Sequence, residues 1–145
     1  MWEGNTHKQK LFVRLQKEIN RFVRKPMTPH SPQRCSLGFV SEHLAIKIIT
    51  TIGVNVLDFE YQLDRYAIKH VVNKHATKPE LLLFIPLILH EPDTVRRSET
   101  TKQNLGSIIF EKQIDQKFYY CVMEIRPSKK ILALKTFYKK RKTPC

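Results

Sequence analysis

Glycine and cysteine are scarce in this chain, which has four glycines and three cysteines among 145 residues. It contains no GxGxxG segment, no P-loop and no Gly-x-Ser-x-Gly elbow, so we expect no nucleotide cofactor. The cysteines, Cys35, Cys121 and Cys145, show no CxxC spacing, and their odd number argues against a closed disulfide framework. A reducing compartment is therefore expected, either the cytoplasm or the cytoplasm of a target cell that receives the protein.

Long apolar runs are also absent. The longest one, Leu81–Leu89, is interrupted by Pro86 and is too short to cross a bilayer. The first residues contain no apolar run of signal-peptide length. We expect a soluble protein that does not bind membranes through a span, while secretion by a non-standard route stays open.

Metal-binding motifs are missing as well. Four of the histidines, at positions 43, 70, 75 and 90, are scattered along the chain. There is no HExxH motif, no cysteine pair and no Asp-rich loop. The sequence therefore predicts no metal site and no other cofactor.

Acidic residues are half as frequent as basic ones, with 13 against 26, which makes the formal net charge +13. Such an imbalance favours association with polyanions. Nucleic acid is the first candidate partner and an anionic membrane surface is the second. A merely soluble basic protein is the alternative that charge alone leaves open.

The first predicted helix covers Lys8–Lys25, because apolar residues recur there at helical spacing. Pro26, Pro29 and Pro32 break this pattern. Residues 1–34 are therefore predicted to be a helical arm with a proline-rich linker, and residues 35–145 the main domain. On this prediction the first helix is an appendage outside the core.

Two further helices are predicted in the first half of the main domain. Asp58–His75 is the clearer one, with an inward stripe made of Phe59, Leu63, Tyr66, Ala67 and Val71. A short helix follows over about Pro79–Leu89, in which Pro86 implies a kink or an early stop. Ser41 and Glu42 suit a helix start, but the run Ile48–Val56 is ambiguous, because it is β-branched and is interrupted by Gly53.

The last third of the chain predicts three antiparallel strands, at about Ser107–Lys112, Lys117–Arg126 and Lys130–Tyr138. In the middle strand Tyr119, Cys121, Met123 and Ile125 form the core face. The alternate residues mix aromatic, acidic and basic groups, which suits either a binding surface or an ordinary solvated side. Helices followed by a strand meander predict an α+β fold.

Two histidines at the end of the long predicted helix are candidates for proton transfer, since imidazole titrates near neutral pH. His70 and Lys74 are four residues apart and share a helix face, whereas His75 can join them only if the helix ends there. The alternative is that both imidazoles are surface groups near a helix C-terminus, where cations are favoured.

The last strand and its neighbours supply groups that bind or polarise a phosphate. Thr136 and Tyr138 could donate hydrogen bonds to it, and Tyr138 could also stack on a base. Glu124 is a candidate base or His-orienting carboxylate, with a structural partner for a lysine as its alternative. The expected substrate-binding cations are Lys74, Lys112, Lys135, Lys139 and Arg141.

The order of these segments resembles the phage-associated branch of the barnase–EndoU–colicin–RelE-like nucleases, which are often C-terminal toxin domains. The segments that carry the resemblance are Ile68–His75, Ile85–Leu89 with Pro92 and Asp93, Tyr119–Glu124 and Leu132–Lys139. The resemblance covers roughly Leu37 to Lys142, and the first helix lies outside it.

The resemblance implies helices on one face of a curved antiparallel sheet and metal-independent RNA cleavage that leaves a cyclic phosphate. It implies that His75 is the helix-end histidine, preceded by His70, and that Thr136 is the closing-strand hydroxyl. It also implies RNA as the substrate and an acidic immunity or antitoxin protein as a partner. A non-catalytic nucleic-acid-binding module and a protein-interaction domain remain the alternatives.

Overall fold

A computed structural model of the chain describes residues 6–24, 34–74, 79–98 and 106–141. It is an α+β structure, as the sequence predicts. The helices are α1 (Thr6–Arg24), α2 (Glu42–Ile52), α3 (Arg65–Lys74) and α4 (Ile85–His90), with a 3₁₀ helix at Pro79–Phe84 directly before α4. The change from 3₁₀ to α geometry coincides with Pro86, which confirms the predicted break at this proline.

The sheet has six strands within the described residues: β1 (Arg34–Phe39), β2 (Glu60–Asp64), β3 (Thr94–Arg97), β4 (Ser107–Ile114), β5 (Lys117–Arg126) and β6 (Ile131–Arg141). Their spatial order is β1-β2-β6-β5-β4-β3. All neighbours are antiparallel except β2 and β6, which are parallel. The three predicted strands are confirmed as β4, β5 and β6, whereas β1, β2 and β3 were not predicted.

The predicted helix over Asp58–His75 is wrong in its first third, which is strand β2. Tyr61 and Leu63 are fully buried while their neighbours are half-exposed, so the strand period of two applies here. Asp64 ends the strand, because its carboxylate accepts a hydrogen bond from the Ala67 N–H at 2.7 Å and caps α3. Tyr66 was assigned to the inward stripe but is 84% exposed, because the helix begins only at Arg65 and the stripe was predicted for a helix that begins at Asp58.

One hydrophobic core lies between the helices and one face of the sheet. The core face of β5 is the predicted one, with Tyr119, Cys121, Met123 and Ile125 all buried. The hydroxyl of Tyr61 donates to the Leu89 carbonyl at 2.8 Å and thereby ties the sheet to α4. We call this side of the sheet the helix-covered face and the opposite side the outer face.

Helix α1 is part of this core and not an appendage to it. Leu15, Ile19 and Phe22 are buried, and Ile19 and Phe22 belong to the same cluster as the sheet residues. The side-chain amide of Gln16 donates to the Leu83 carbonyl at 3.0 Å. The expectation that the first helix lies outside the core is therefore wrong, while the division of the chain at residue 34 stays a prediction.

Helix α2 shows how local sequence sets its bounds. The Ser41 hydroxyl accepts from the Leu44 N–H at 3.2 Å, as the predicted helix start requires. Gly53 closes the helix in the left-handed conformation at φ +73°, and its N–H donates to the Ile49 carbonyl at 2.9 Å. The ambiguous run is thus helical up to Ile52.

Candidate functional site

A β-bulge in β6 decides which side chains reach the outer face. Val122 on β5 pairs with Thr136, but the next residue, Met123, pairs with Leu134. Lys135 is therefore an extra residue, and the alternation of β6 is inverted beyond it. As a result Thr136 lies on the outer face, on the same side of the sheet as Glu124. Without the bulge Thr136 would point into the core.

Two tyrosines form an aromatic surface beside Thr136 on the outer face. Tyr120 and Tyr138 are direct cross-strand partners, and their ring centroids are 4.8 Å apart with an interplanar angle of 18°. The Lys140 ammonium lies 5.8 Å from the Tyr120 centroid and 5.9 Å from the Tyr138 centroid. We call these three side chains the tyrosine platform.

The carboxylate of Glu111, on the strand next to the platform, makes a hydrogen bond with Tyr120. Glu111 is the cross-strand partner of Tyr120, and it accepts a hydrogen bond from the Thr94 hydroxyl at 2.6 Å. Burial raises the pKa of Tyr120, and the hydrogen bond to Glu111 and the charges of Glu111 and Tyr138 raise it further, while Arg96 opposes them. Tyr120 therefore keeps its proton at neutral pH and serves as a fixed ring with a cation beside it.

Glu124 lies on the outer face but already has a partner. Its carboxylate accepts a hydrogen bond from Arg126 Nε at 2.8 Å, two residues along the same strand. Both side chains are partly exposed. This ion pair supports the structural alternative for Glu124, although the partner is an arginine and not a lysine.

His70 belongs to α3, which packs against β6 from the helix-covered side, whereas the Thr136 and Tyr138 side chains lie on the outer face of that strand. Ala67, Ile68 and Val71 bury the inner face of α3, and this leaves His70 exposed on the other side. His75 lies outside the described residues. Lys74 is the last residue of α3, and the structure describes its backbone but not its side chain.

The predicted substrate-binding cations do not all share the outer face. Lys112 is opposite Tyr119, on the helix-covered face, and its ammonium donates to the Glu91 carbonyl at 2.7 Å and contacts Asp93 at 3.4 Å. It therefore helps to fix the segment before β3. Lys139 is also opposite Tyr119 and is exposed, so it lies on the helix-covered side near the end of β6.

Two further predicted cations lie elsewhere on β6. Lys135 is the exposed residue of the bulge, next to Thr136. Arg141 pairs with Lys117 at the end of the strand, and its side chain is outside the description. Of the catalytic candidates, the structure thus brings Glu124, Thr136 and Tyr138 to one face, and of the cations it adds Lys135 at the bulge.

Sequence reasoning missed three members of this site, namely Tyr120, Lys140 and Arg96. Tyr120 was assigned to the correct face, but nothing in the sequence pairs it with Tyr138, because that pairing depends on the register beyond the bulge. Lys140 lies between two of the predicted substrate-binding cations, Lys139 and Arg141, but its position over the tyrosine rings depends on the register beyond the bulge. Arg96 belongs to β3, whose four residues are too few for a clear alternating pattern.

The described part of the chain contains neither a cluster of metal ligands nor a membrane-spanning helix. No three side chains of His, Cys, Asp or Glu come close enough there to hold a metal ion. None of the helices described is both long and apolar enough to cross a membrane.

Comparison with known proteins places the chain in a family. Residues 38–144 match the family described as phage-Barnase-EndoU-ColicinE5/D-RelE like nuclease3. No curated protein and no solved structure matches the chain. The matched segment contains β2 to β6 and α2 to α4, and therefore the whole tyrosine platform and the bulge. The resemblance seen in the sequence is confirmed, and the chain belongs to the phage-associated barnase–EndoU–colicin–RelE-like nucleases.

Proposed function

We propose that this nuclease is a metal-independent endoribonuclease that cleaves RNA at strand β6. The observation that carries the proposal is the arrangement around the bulge, where the Thr136 hydroxyl lies beside the tyrosine platform and next to the bulge residue Lys135. Helix α3, which bears His70, packs against the same strand from the helix-covered side.

Substrate binding follows from the platform. A base can stack on Tyr138, the partly exposed ring of the pair, and stacking of this kind contributes about 1–3 kcal/mol per base in single-stranded nucleic-acid complexes. Lys140 lies over the same rings and Arg96 is on the outer face of β3, so both cations are available to the phosphates next to that base. A stacked base favours a single strand or a loop over a continuous duplex, whose bases are already stacked on each other.

The chemistry is a transesterification within the RNA. A base takes the proton from a ribose 2′-hydroxyl, the oxygen forms a bond to the adjacent phosphorus, and the bond to the 5′-oxygen breaks as an acid protonates that oxygen. His75 and His70 are proposed as the acid and base, a role that accelerates such reactions about 10²–10⁴-fold. Thr136 donates a hydrogen bond to a non-bridging oxygen, and Lys74 and Lys135 balance the added negative charge.

Glu124 has a positioning role in this scheme. Its ion pair with Arg126 holds a guanidinium on the outer face, where it can contact phosphate outside the reacting group. Removal of Glu124 should therefore weaken RNA binding more than it slows the chemical step.

A toxin acting in the cytoplasm of the producing or the target cell is the biological setting that we propose. The net charge of +13 gives an acidic inhibitor a strong electrostatic attraction to the protein. Such an inhibitor would block the outer face and would compete with RNA for the same cations.

The test uses the purified full chain with labelled RNA and with DNA of the same sequence, in excess EDTA. We expect RNA to be cleaved and DNA to stay intact. His70→Ala and His75→Ala should lower the rate, while His43→Ala, which removes an exposed imidazole from α2, serves as the matched control. Cleavage that stops in EDTA, or that survives loss of both His70 and His75, would contradict the proposal.

A further inference from the structure

A second basic site lies between α1 and the edge strand β1, away from the residues assigned above. It is a groove of about 480 Å³ between the two elements. We call it the arginine groove, and its polar and aromatic lining includes Arg14, Glu18, Arg21, Arg34, Ser36 and Phe39.

The groove has more positive charge than it uses internally. Arg21 makes one ion pair with Glu18 at 3.4 Å. Arg14 and Arg34 are exposed and have no ion-pair partner among the residues that the structure describes. Exposed guanidinium groups without an ion-pair partner can bind a phosphate through two parallel hydrogen bonds.

An exposed aromatic ring stands at the same groove. Phe39 is 60% exposed, although it is a large apolar side chain at the end of β1. A ring next to arginines matches the combination by which single-stranded nucleic acids are bound, with bases stacked on aromatic groups and phosphates held by cations. An acidic peptide would use the arginines but would leave the ring exposed to water.

Helix α1 presents its arginines on a rigid support. Leu15, Ile19 and Phe22 anchor the helix in the core, so Arg14 and Arg21 project from a fixed surface. The burial of these three residues also removes the apolar face that a basic amphipathic helix would need to lie in a membrane surface. The membrane alternative therefore lacks support at α1.

The groove is continuous with the sheet that carries the nuclease site. Ser36 lines the groove, and its hydroxyl donates to the Glu60 carboxylate on β2 at 2.8 Å. Strand β1 is two strands away from β6, which corresponds to roughly 10 Å at the usual strand spacing. An extended RNA strand can span that distance with a short run of nucleotides.

We propose that the arginine groove binds the single-stranded RNA that flanks the cleaved phosphate, as an accessory site built by α1 and β1. Helix α1 and most of β1 lie outside the family match at residues 38–144, so most of the groove lies outside the matched segment. The inference rests on the proposed function, since it assigns part of the same substrate to a second site.

The test compares binding of two uncleavable 2′-O-methyl RNAs by the full chain, a short one that is a dinucleotide and a long one of about twelve nucleotides. The groove variant is Arg14→Gln/Arg34→Gln. The control, Lys17→Gln/Lys129→Gln, removes the same charge from exposed positions outside the groove. We expect the groove variant to lower the affinity for the long RNA relative to the short RNA about tenfold, and the control to leave that ratio unchanged.

Photocrosslinking with 4-thiouridine in the long RNA supplies a second, positional readout. Crosslinks on the β1 peptide that contains Phe39, together with crosslinks on β5 or β6, are expected. An equal loss of ratio in both variants, or crosslinks confined to β5 and β6, would overturn the accessory site. A groove variant that loses binding to poly-L-glutamate but keeps its RNA affinity ratio would assign the groove to a protein partner and would also overturn it.

These outcomes are separable from a failure of the proposed function. Cleavage of the short RNA in its unmodified form in EDTA reports on the nuclease site alone, because the single phosphodiester of a dinucleotide occupies that site and leaves no flanking phosphate for the groove. If the short RNA is cleaved but the groove variant does not change the affinity ratio, only the accessory-site proposal is contradicted. A chain that cleaves no RNA in EDTA removes the basis of both proposals.

Discussion

Replacing Thr136 by Val is expected to slow RNA cleavage while leaving the fold intact. The two side chains have similar shape and both suit a strand, so the half-buried position on β6 should tolerate the change. The variant lacks the hydroxyl that we assign to the phosphate. A hydrogen bond to a charged group contributes about 1.5–3 kcal/mol, which corresponds to roughly a tenfold to 150-fold loss in rate. The partial exposure of Thr136 places the expected effect toward the lower end, because water competes for the same oxygen.

The assay is single-turnover cleavage of a labelled RNA in EDTA, measured for the wild type, Thr136→Val and Thr136→Ser. The serine variant keeps a hydroxyl at the same position and should retain most of the rate. Circular dichroism and urea unfolding check that all three proteins have comparable stability. Equal rates for the valine variant and the wild type, or equal losses in the valine and serine variants, would refute the assignment of this hydroxyl.

Three further predictions concern the core, the pH response and the platform. Tyr61→Phe should lower the free energy of unfolding by about 1–3 kcal/mol in urea titrations, because the buried Leu89 carbonyl loses its donor; an unchanged midpoint would contradict this. Burial lowers the pKa of His90 in the folded state, whereas in the unfolded chain this imidazole has its usual pKa of about 6.5. As the pH falls below that value, the unfolded chain therefore takes up a proton before the folded chain does. Stability should therefore be highest above that pH and should fall as the pH drops through it, and His90→Gln should flatten this part of the curve. Lys140→Gln should weaken RNA binding severalfold more than Lys129→Gln in fluorescence anisotropy, since only Lys140 lies over the tyrosine rings; equal losses would indicate bulk charge alone.

The sheet in the last third of the chain could be predicted because its strands are long and alternate clearly. In β5 every second residue from Tyr119 to Ile125 is apolar and buried, and this pattern orients the whole sheet. The helix start at Ser41 was equally readable, since a capping side chain acts within one turn. These features depend on neighbours close in sequence.

The features that could not be predicted depend on partners far away in sequence. Strand β2 has only five residues and continues directly into α3, so Tyr61 and Leu63 also fit a helical stripe. The burial of α1 follows from its contacts with β1 and α4, which no local pattern encodes. Sequence alone could show an amphipathic helix but not the surface that covers it.

The candidate site was predicted in its residue types but not in its geometry. Thr136 and Tyr138 were identified from their chemistry, yet their common face depends on the single extra residue Lys135. A one-residue change of register exchanges the two faces of a strand, so the stacking of Tyr138 on Tyr120 could not be inferred before the bulge was known.

The most direct test of RNA cleavage by 2′-hydroxyl attack is the analysis of the product ends, with a matched substrate that carries one 2′-deoxy nucleotide at the cleaved position. In EDTA the wild-type chain is expected to release a 2′,3′-cyclic phosphate from the all-ribose substrate and to leave the deoxy-substituted bond intact. A product that ends in a simple 3′-hydroxyl, or cleavage at the deoxy position, would contradict the account.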